Sequence, residues 1–164
     1  IVDGELRPEW GGGVCQVSST LYNAALLAGL RITERHAHSR PVASVPPGRD
    51  AVSAFGIADL RFANDTRSAL KISARVVGSR LTISILGKQD APREVEVYTR
   101  AEGGSASWKE CSRPDGPAVF DVCRQGETVL TYRVIREDGG PEARELVSTD
   151  VYVTPRPRPA QQTR

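Results

Sequence analysis

Residues 11–30 read GGGVCQVSSTLYNAALLAGL, and they carry one cysteine, Cys15, from a glycine run into what reads as a helix start. Val14, Val17, Leu21, Ala25 and Ala28 recur at helical spacing, with Leu26, Leu27 and Leu30 widening the stripe. That period predicts a helix over 14–28, and Gly29 stands where its C-terminal cap belongs. The glycines can take positive φ and let backbone approach a ligand closely. A helix start adds unpaired N–H groups and partial positive charge, which stabilise a thiolate or an oxyanion. Gly12, Gly13 and Gln16 then become donors toward a tetrahedral intermediate. Ser18 and Ser19, three and four residues after Cys15, share its face and can order it by hydrogen bonding. A buried structural cysteine behind a flexible loop fits the same letters.

Both histidines lie in Arg35-His36-Ala37-His38-Ser39-Arg40-Pro41. Residues 33–39 read as extended chain, so alternation places Ile32, Glu34, His36 and His38 on one face. One imidazole near Cys15 would serve as general base and later as general acid, with the other or Glu34 orienting it. His38 is favoured as the base, being nearer the bend that Pro41 imposes. Asp50, after Pro46-Pro47-Gly48-Arg49, is a further candidate for orienting a histidine; an aspartate that closes a turn through its own hydrogen bonds is the competing reading. Arg40 and Arg49 are candidates to pair with a substrate carboxylate, although arginine is common throughout the chain. Solvated histidines in a polar loop are the plainer account of this segment. His-x-His with a cysteine and a carboxylate also offers zinc-type donors. No Cys-x-x-Cys or His-x-x-x-His accompanies them, so neither metal nor cofactor is assigned.

Beyond the helix the pattern is β. Leu70, Ile72, Ala74 and Val76 alternate, Gly78-Ser79 makes a two-residue turn, and Leu81, Ile83 and Ile85 alternate again, which predicts a hairpin over 69–87. Leu60 to Ala63 reads as a strand and Asn64-Asp65-Thr66 as a turn. The fold class expected is α+β: residues 1–88 as one helix packed on an antiparallel sheet, then a small all-β module over 89–154. A Pro/Arg-rich tail, 155–164, is expected to be disordered. Cys111 and Cys123 flank a turn-rich segment and read as a hairpin closed by a disulfide, worth about 3 kcal/mol in the chain-entropy model and formed only in an oxidising compartment. Two reduced cysteines are the alternative, and Cys15 is the odd thiol in either case.

The 164 residues, 39% of them hydrophobic, can build a core in one ordinary domain or two short ones. No run of 18 apolar residues occurs and the chain has no methionine, so it is read as a fragment whose export signal or membrane anchor lies upstream. Residues 1–88 carry 11 basic and 7 acidic side chains and residues 89–164 carry 11 and 13. Neither balance is a nucleic-acid footprint, and the few aromatics point the same way.

Four ordered blocks then carry a resemblance: GGGVCQVSSTLYNAAL at 11–26, ERHAHSRPV at 34–42, VPPGRDA at 45–51, and Asp59-Leu60-Arg61-Phe62 with Asn64 and Thr66. Over residues 1–88 the chain resembles the VanW family, bacterial cell-envelope proteins named after an accessory protein of glycopeptide-resistance clusters. Some members are associated with L,D-transpeptidase activity, in which a cysteine takes the acyl group of a peptidoglycan stem peptide. The resemblance implies that role for Cys15, with His36 and His38 matching the family's histidine block. It also implies an extracytoplasmic location and peptidoglycan stem peptides as partners. A non-catalytic wall-binding or scaffold module is the alternative. Residues 126–152 weakly resemble the glycine-bearing β modules that accompany such domains, which would make Trp108, Tyr132 and Tyr152 candidate sugar-facing aromatics.

Overall fold

Helix α1, Val14–Leu27, ends in a Schellman motif. Leu30 N–H donates to Ala25 O and Gly29 N–H to Leu26 O, both at 3.0 Å, while Gly29 takes φ +72°, a conformation that costs a residue without Cβ little. The computed structural model describes residues 13–88, 93–102, 127–137 and 140–152. Gly12, Trp108, Cys111, Cys123 and the 155–164 segment lie outside them, and with these the expected disulfide and tail.

Seven strands follow the helix among the described residues: β1 Arg31–Glu34, β2 Arg61–Ala63, β3 Lys71–Val77, β4 Arg80–Leu86, β5 Arg93–Glu102, β6 Glu127–Glu137 and β7 Ala143–Tyr152. All pairing is antiparallel, as β1-β2, β3-β4 and β5-β6-β7. The class is α+β, with one helix among the described residues. The hairpin expected over 69–87 is β3-β4, turned at Gly78-Ser79, where Val77 pairs with Arg80 and Gly78 has φ +59°.

The buried face of α1 coincides with the apolar stripe that periodicity predicts only in its second half, at Ala25 and Leu26. Val14 and Val17 are each 48% exposed, whereas Ser18, Ser19, Tyr22, Ala25 and Leu26 are buried. The physical reason is a backbone that needs partners. Residue 51 runs beneath the first half of the helix, and its peptide is satisfied by serine hydroxyls. Ser18 Oγ donates to Ala51 O at 2.6 Å, and Ala51 N–H donates to Ser19 Oγ at 2.9 Å. A polar face is thereby pulled inward, and the valines border open space instead.

The core joins both halves of the chain. Tyr22, Leu26 and Ala51 pack with Ile32, Leu60, Val97 of β5 and Val147 of β7. Arg133 of β6, 6% exposed, donates to Leu30 O at 2.7 Å and Leu26 O at 3.4 Å. A guanidinium thus satisfies carbonyls at the negative end of α1. The boundary read from sequence near Lys88–Pro92 falls in the connection that leads from β4 into a sheet sharing this core.

Candidate active site

Cys15 lies in the first turn of α1, after the N-cap Gly13. The opening N–H groups of a helix have no partner within it, and Gly13 supplies no side-chain cap. Gly13 has φ −84°, so the positive φ expected there is not used; a Cβ at this position would meet nothing within 4 Å. Cys15 is a free, half-buried thiol with Sγ 3.8 Å from Ser53 O. Gln16 is exposed and accepts from Thr20 Oγ1 at 2.7 Å through its carbonyl.

Residues 50–53 form the spine of the site. On one side they hold the helix start, through Ser18, Ser19 and Cys15. On the other they hold the histidine segment: Val52 N–H donates to His36 O at 2.8 Å, and Asp50 Oδ2 accepts from His38 N–H at 2.7 Å and from His38 Nδ1 at 2.6 Å. An ionised carboxylate only accepts, so a proton sits on Nδ1, and in the neutral imidazole it is Nε2 that carries the lone pair.

The two histidines have different surroundings. The alternation expected through His38 ends with β1 at Glu34. His36 is half exposed, with Nε2 3.2 Å from Glu34 Oε1, and Glu34 also meets Arg61 at 3.2 Å. His38 is 12% exposed against a carboxylate that is 1% exposed. Glu34 therefore attends His36 at the surface, and Asp50 attends His38.

Asp50 is held from three directions. Arg35 Nε donates to its carbonyl at 2.6 Å and Nη2 to Oδ1 at 3.1 Å, while Tyr152 OH also donates to Oδ1. Burial alone would raise the Asp50 carboxyl, but the bonds from His38, Tyr152 and Arg35 outweigh it and hold it below the ordinary value. Arg35 is itself paired with Asp150 of β7. Burial opposes its charge, yet the bonded Asp150 and the nearby Asp50 keep it firmly protonated. Gly48 is the pivot: its N–H donates to Tyr152 OH at 2.6 Å, its carbonyl accepts from Thr131 Oγ1 at 3.1 Å, and its φ is +80°.

Arg49 does not face outward as a carboxylate clamp. Its guanidinium bonds Asn23 Oδ1 and, at 3.0 Å, Val97 O, and burial lowers its pKa. Arg40 is half-buried two residues beyond His38. Tyr152 is 2% exposed, so it is not a sugar-facing aromatic. Tyr132 stacks on Tyr98 at 5.4 Å between centroids, with Arg144 over both rings. Among the described residues no group of three or more His, Cys, Asp or Glu is placed to hold a metal ion.

Beside the helix start an open trough of about 560 Å³ is lined by Val14, Val17, Leu21, Ser53 and Leu60. The turn after Ser53 carries Phe55 fully exposed and Ile57 at 85%. Sequence reading missed Arg35, Asp150 and Tyr152 as parts of this site. Arg35 sits in the histidine block, where a signal was present. The contacts of Asp150 and Tyr152 span 115 and 102 residues, and nothing local announces them.

Protein YoaR of Bacillus subtilis (strain 168), described as uncharacterized, is 48% identical over 85 residues, which are 52% of this chain and 28% of that protein. The match thus spans little more than a quarter of that relative's length. No solved structure matches. The family described as VanW like protein matches residues 1–86, which takes in Cys15, Arg35, His38 and Asp50 and covers more than half of the sequence, so the chain belongs to the VanW family.

Proposed function

We propose that this chain is an extracytoplasmic cysteine acyltransferase of the bacterial cell envelope, acting on peptidoglycan stem peptides in the manner of an L,D-transpeptidase. The observation that carries the reading is the bond of His38 to buried Asp50, which belongs to the same short segment that seats Cys15 at the start of α1. Asp50 holds the tautomer that leaves Nε2 of His38 as a base. His38 takes the Cys15 proton, and the thiolate attacks the donor amide carbonyl. The N–H groups of the first helical turn meet the resulting oxyanion, and His38 then protonates the departing amine. A thioester on Cys15 remains until an acceptor amine attacks it, returning the thiol and forming the new amide. His36, exposed beside Glu34, is left outside these proton transfers. The trough beside Val14 and Val17 offers apolar surface for the aliphatic part of a peptide.

The test is a purified muropeptide assay with intact-mass detection of the acyl-enzyme. Cys15→Ala should abolish both the thioester adduct and cross-linked product while the chain stays folded. Cys15→Ser should be nearly as inactive, since a serine hydroxyl keeps a pKa far above that of a thiolate. Undiminished cross-linking by Cys15→Ala would end the acyl-transfer reading. Retained wall binding by an inactive wild-type chain would favour a non-catalytic module.

A further inference from the structure

Every acceptor position that Asp50 presents is filled, and the fillers come from two separate parts of the chain. Oδ2 takes both bonds from His38. Oδ1 takes Arg35 from the segment after β1 and Tyr152 from the last residue of β7. Tyr152 also accepts from Gly48 N–H at 2.6 Å, so one hydroxyl fixes the carboxylate and the loop that presents it. Asp150, two residues back on β7, holds Arg35 and accepts from Ser148 Oγ at 2.9 Å. The four side chains are closed off: Arg35 4%, Asp50 1%, Asp150 9% and Tyr152 2% exposed. Core filling alone does not account for Tyr152. A phenylalanine would fill the same volume, but it would leave Gly48 N–H without its acceptor and Oδ1 with Arg35 as its one remaining donor.

The geometry points to Tyr152 as a positioning residue for the Asp50–His38 pair, with Asp150 acting at one remove through Arg35, so that β7 is a working part of the candidate active site. Both residues lie beyond the segment that matches the family, residues 1–86. The catalytic consequence rests on the acyl-transfer reading; the positioning itself does not. Without the Tyr152 hydroxyl, Asp50 can swing on the Gly48 loop, and the Nδ1–H bond to it loosens. The charged or titratable groups bearing on Asp50 are His38, Arg35 and Tyr152.

The experiment uses the full chain labelled with nitrogen-15 at histidine, with the ring N–H signals followed by NMR at neutral pH. In the wild type, the His38 Nδ1–H proton should be visible and slow to exchange, while His36, half exposed, should exchange its ring proton with solvent. Tyr152→Phe should broaden or remove the His38 signal while leaving that of His36 unmoved. Tyr132→Phe, in the stack away from the site, should change neither. In the muropeptide assay, Tyr152→Phe should lower kcat about tenfold, the scale of one hydrogen bond to a charged group, with KM held. A folded Tyr152→Phe chain with an unchanged His38 signal would overturn the proposal. Should that variant fail to fold by circular dichroism, Asp150→Asn decides: a disturbed His38 signal supports positioning and an unchanged one refutes it. Failure of the wider reading looks different. An inactive wild type whose His38 signal still responds to Tyr152→Phe would discard acyl transfer and keep the positioning role.

Discussion

At the scale of single residues, Gly48 is the most constrained position in the site. A Cβ there would lie 2.4 Å from Thr131 Oγ1 and 3.1 Å from Thr99 Cγ2, on a backbone already at φ +80°. Gly48→Ala combines left-handed strain with overpacking and should cost about 3 kcal/mol, read as a lowered urea midpoint. Gly78 also has positive φ, but a Cβ there meets nothing within 4 Å, so Gly78→Ala should cost only about 1 kcal/mol. Asp50 carries a pH signature. Its folded carboxyl lies below its unfolded value, so its contribution is complete above the unfolded pKa of about 3.9 and is lost as pH falls through the folded one. Asp50→Asn should therefore be less stable near neutrality and lose less on acidification, measured by urea unfolding from pH 7 to pH 3. Asp50 and His38 were legible in the sequence because proline and glycine fix a turn before one and a histidine block holds the other. Arg35 was hidden by its company, as one arginine among 19.

At the scale of elements, α1 shows how far periodicity reads and where it stops. Its extent was legible within a residue, because Ala and Leu favour helix and Gly29 ends it. Its buried face was legible only in the second half, at Ala25 and Leu26, because hydropathy counts Ser18 and Ser19 as outward residues, and only the neighbouring peptide of residue 51 makes them inward ones. The consequence is an inversion of the usual ranking. Ser19→Ala leaves a buried Ala51 N–H without its acceptor and should cost about 1–3 kcal/mol. Val17→Ala, at a position 48% exposed, should stay within about 1 kcal/mol. Chemical denaturation of the pair checks this, and a costlier Val17→Ala would restore the stripe read from the sequence. The β3-β4 hairpin was legible for a simpler reason: alternation and a Gly-Ser turn are both local, and register follows from the turn.

At the scale of the whole molecule, the two ends of the chain exchange charges across their contact. The first part, richer in bases, sends Arg35 to Asp150 of β7; the second sends Arg133 to the carbonyls that end α1. These are the contacts a sequence cannot announce, because each partner reads locally as a surface residue of an ordinary strand or loop. Between them lies the apolar contact of Val97 and Val147 with Tyr22 and Leu26. Removing β5–β7 would expose that core, leave Arg35 buried beside one carboxylate instead of two, and free the helix-end carbonyls from their donor. Buried charges stripped of a partner are strongly destabilising. A chain ending at residue 88 should therefore show no cooperative urea transition and no slowly exchanging His38 Nδ1–H, whereas the full chain should show both. A cooperative transition in the shortened chain, with the His38 signal intact, would mean that the helix, the residue 50–53 spine and the histidine segment hold themselves, and that β7 only covers them.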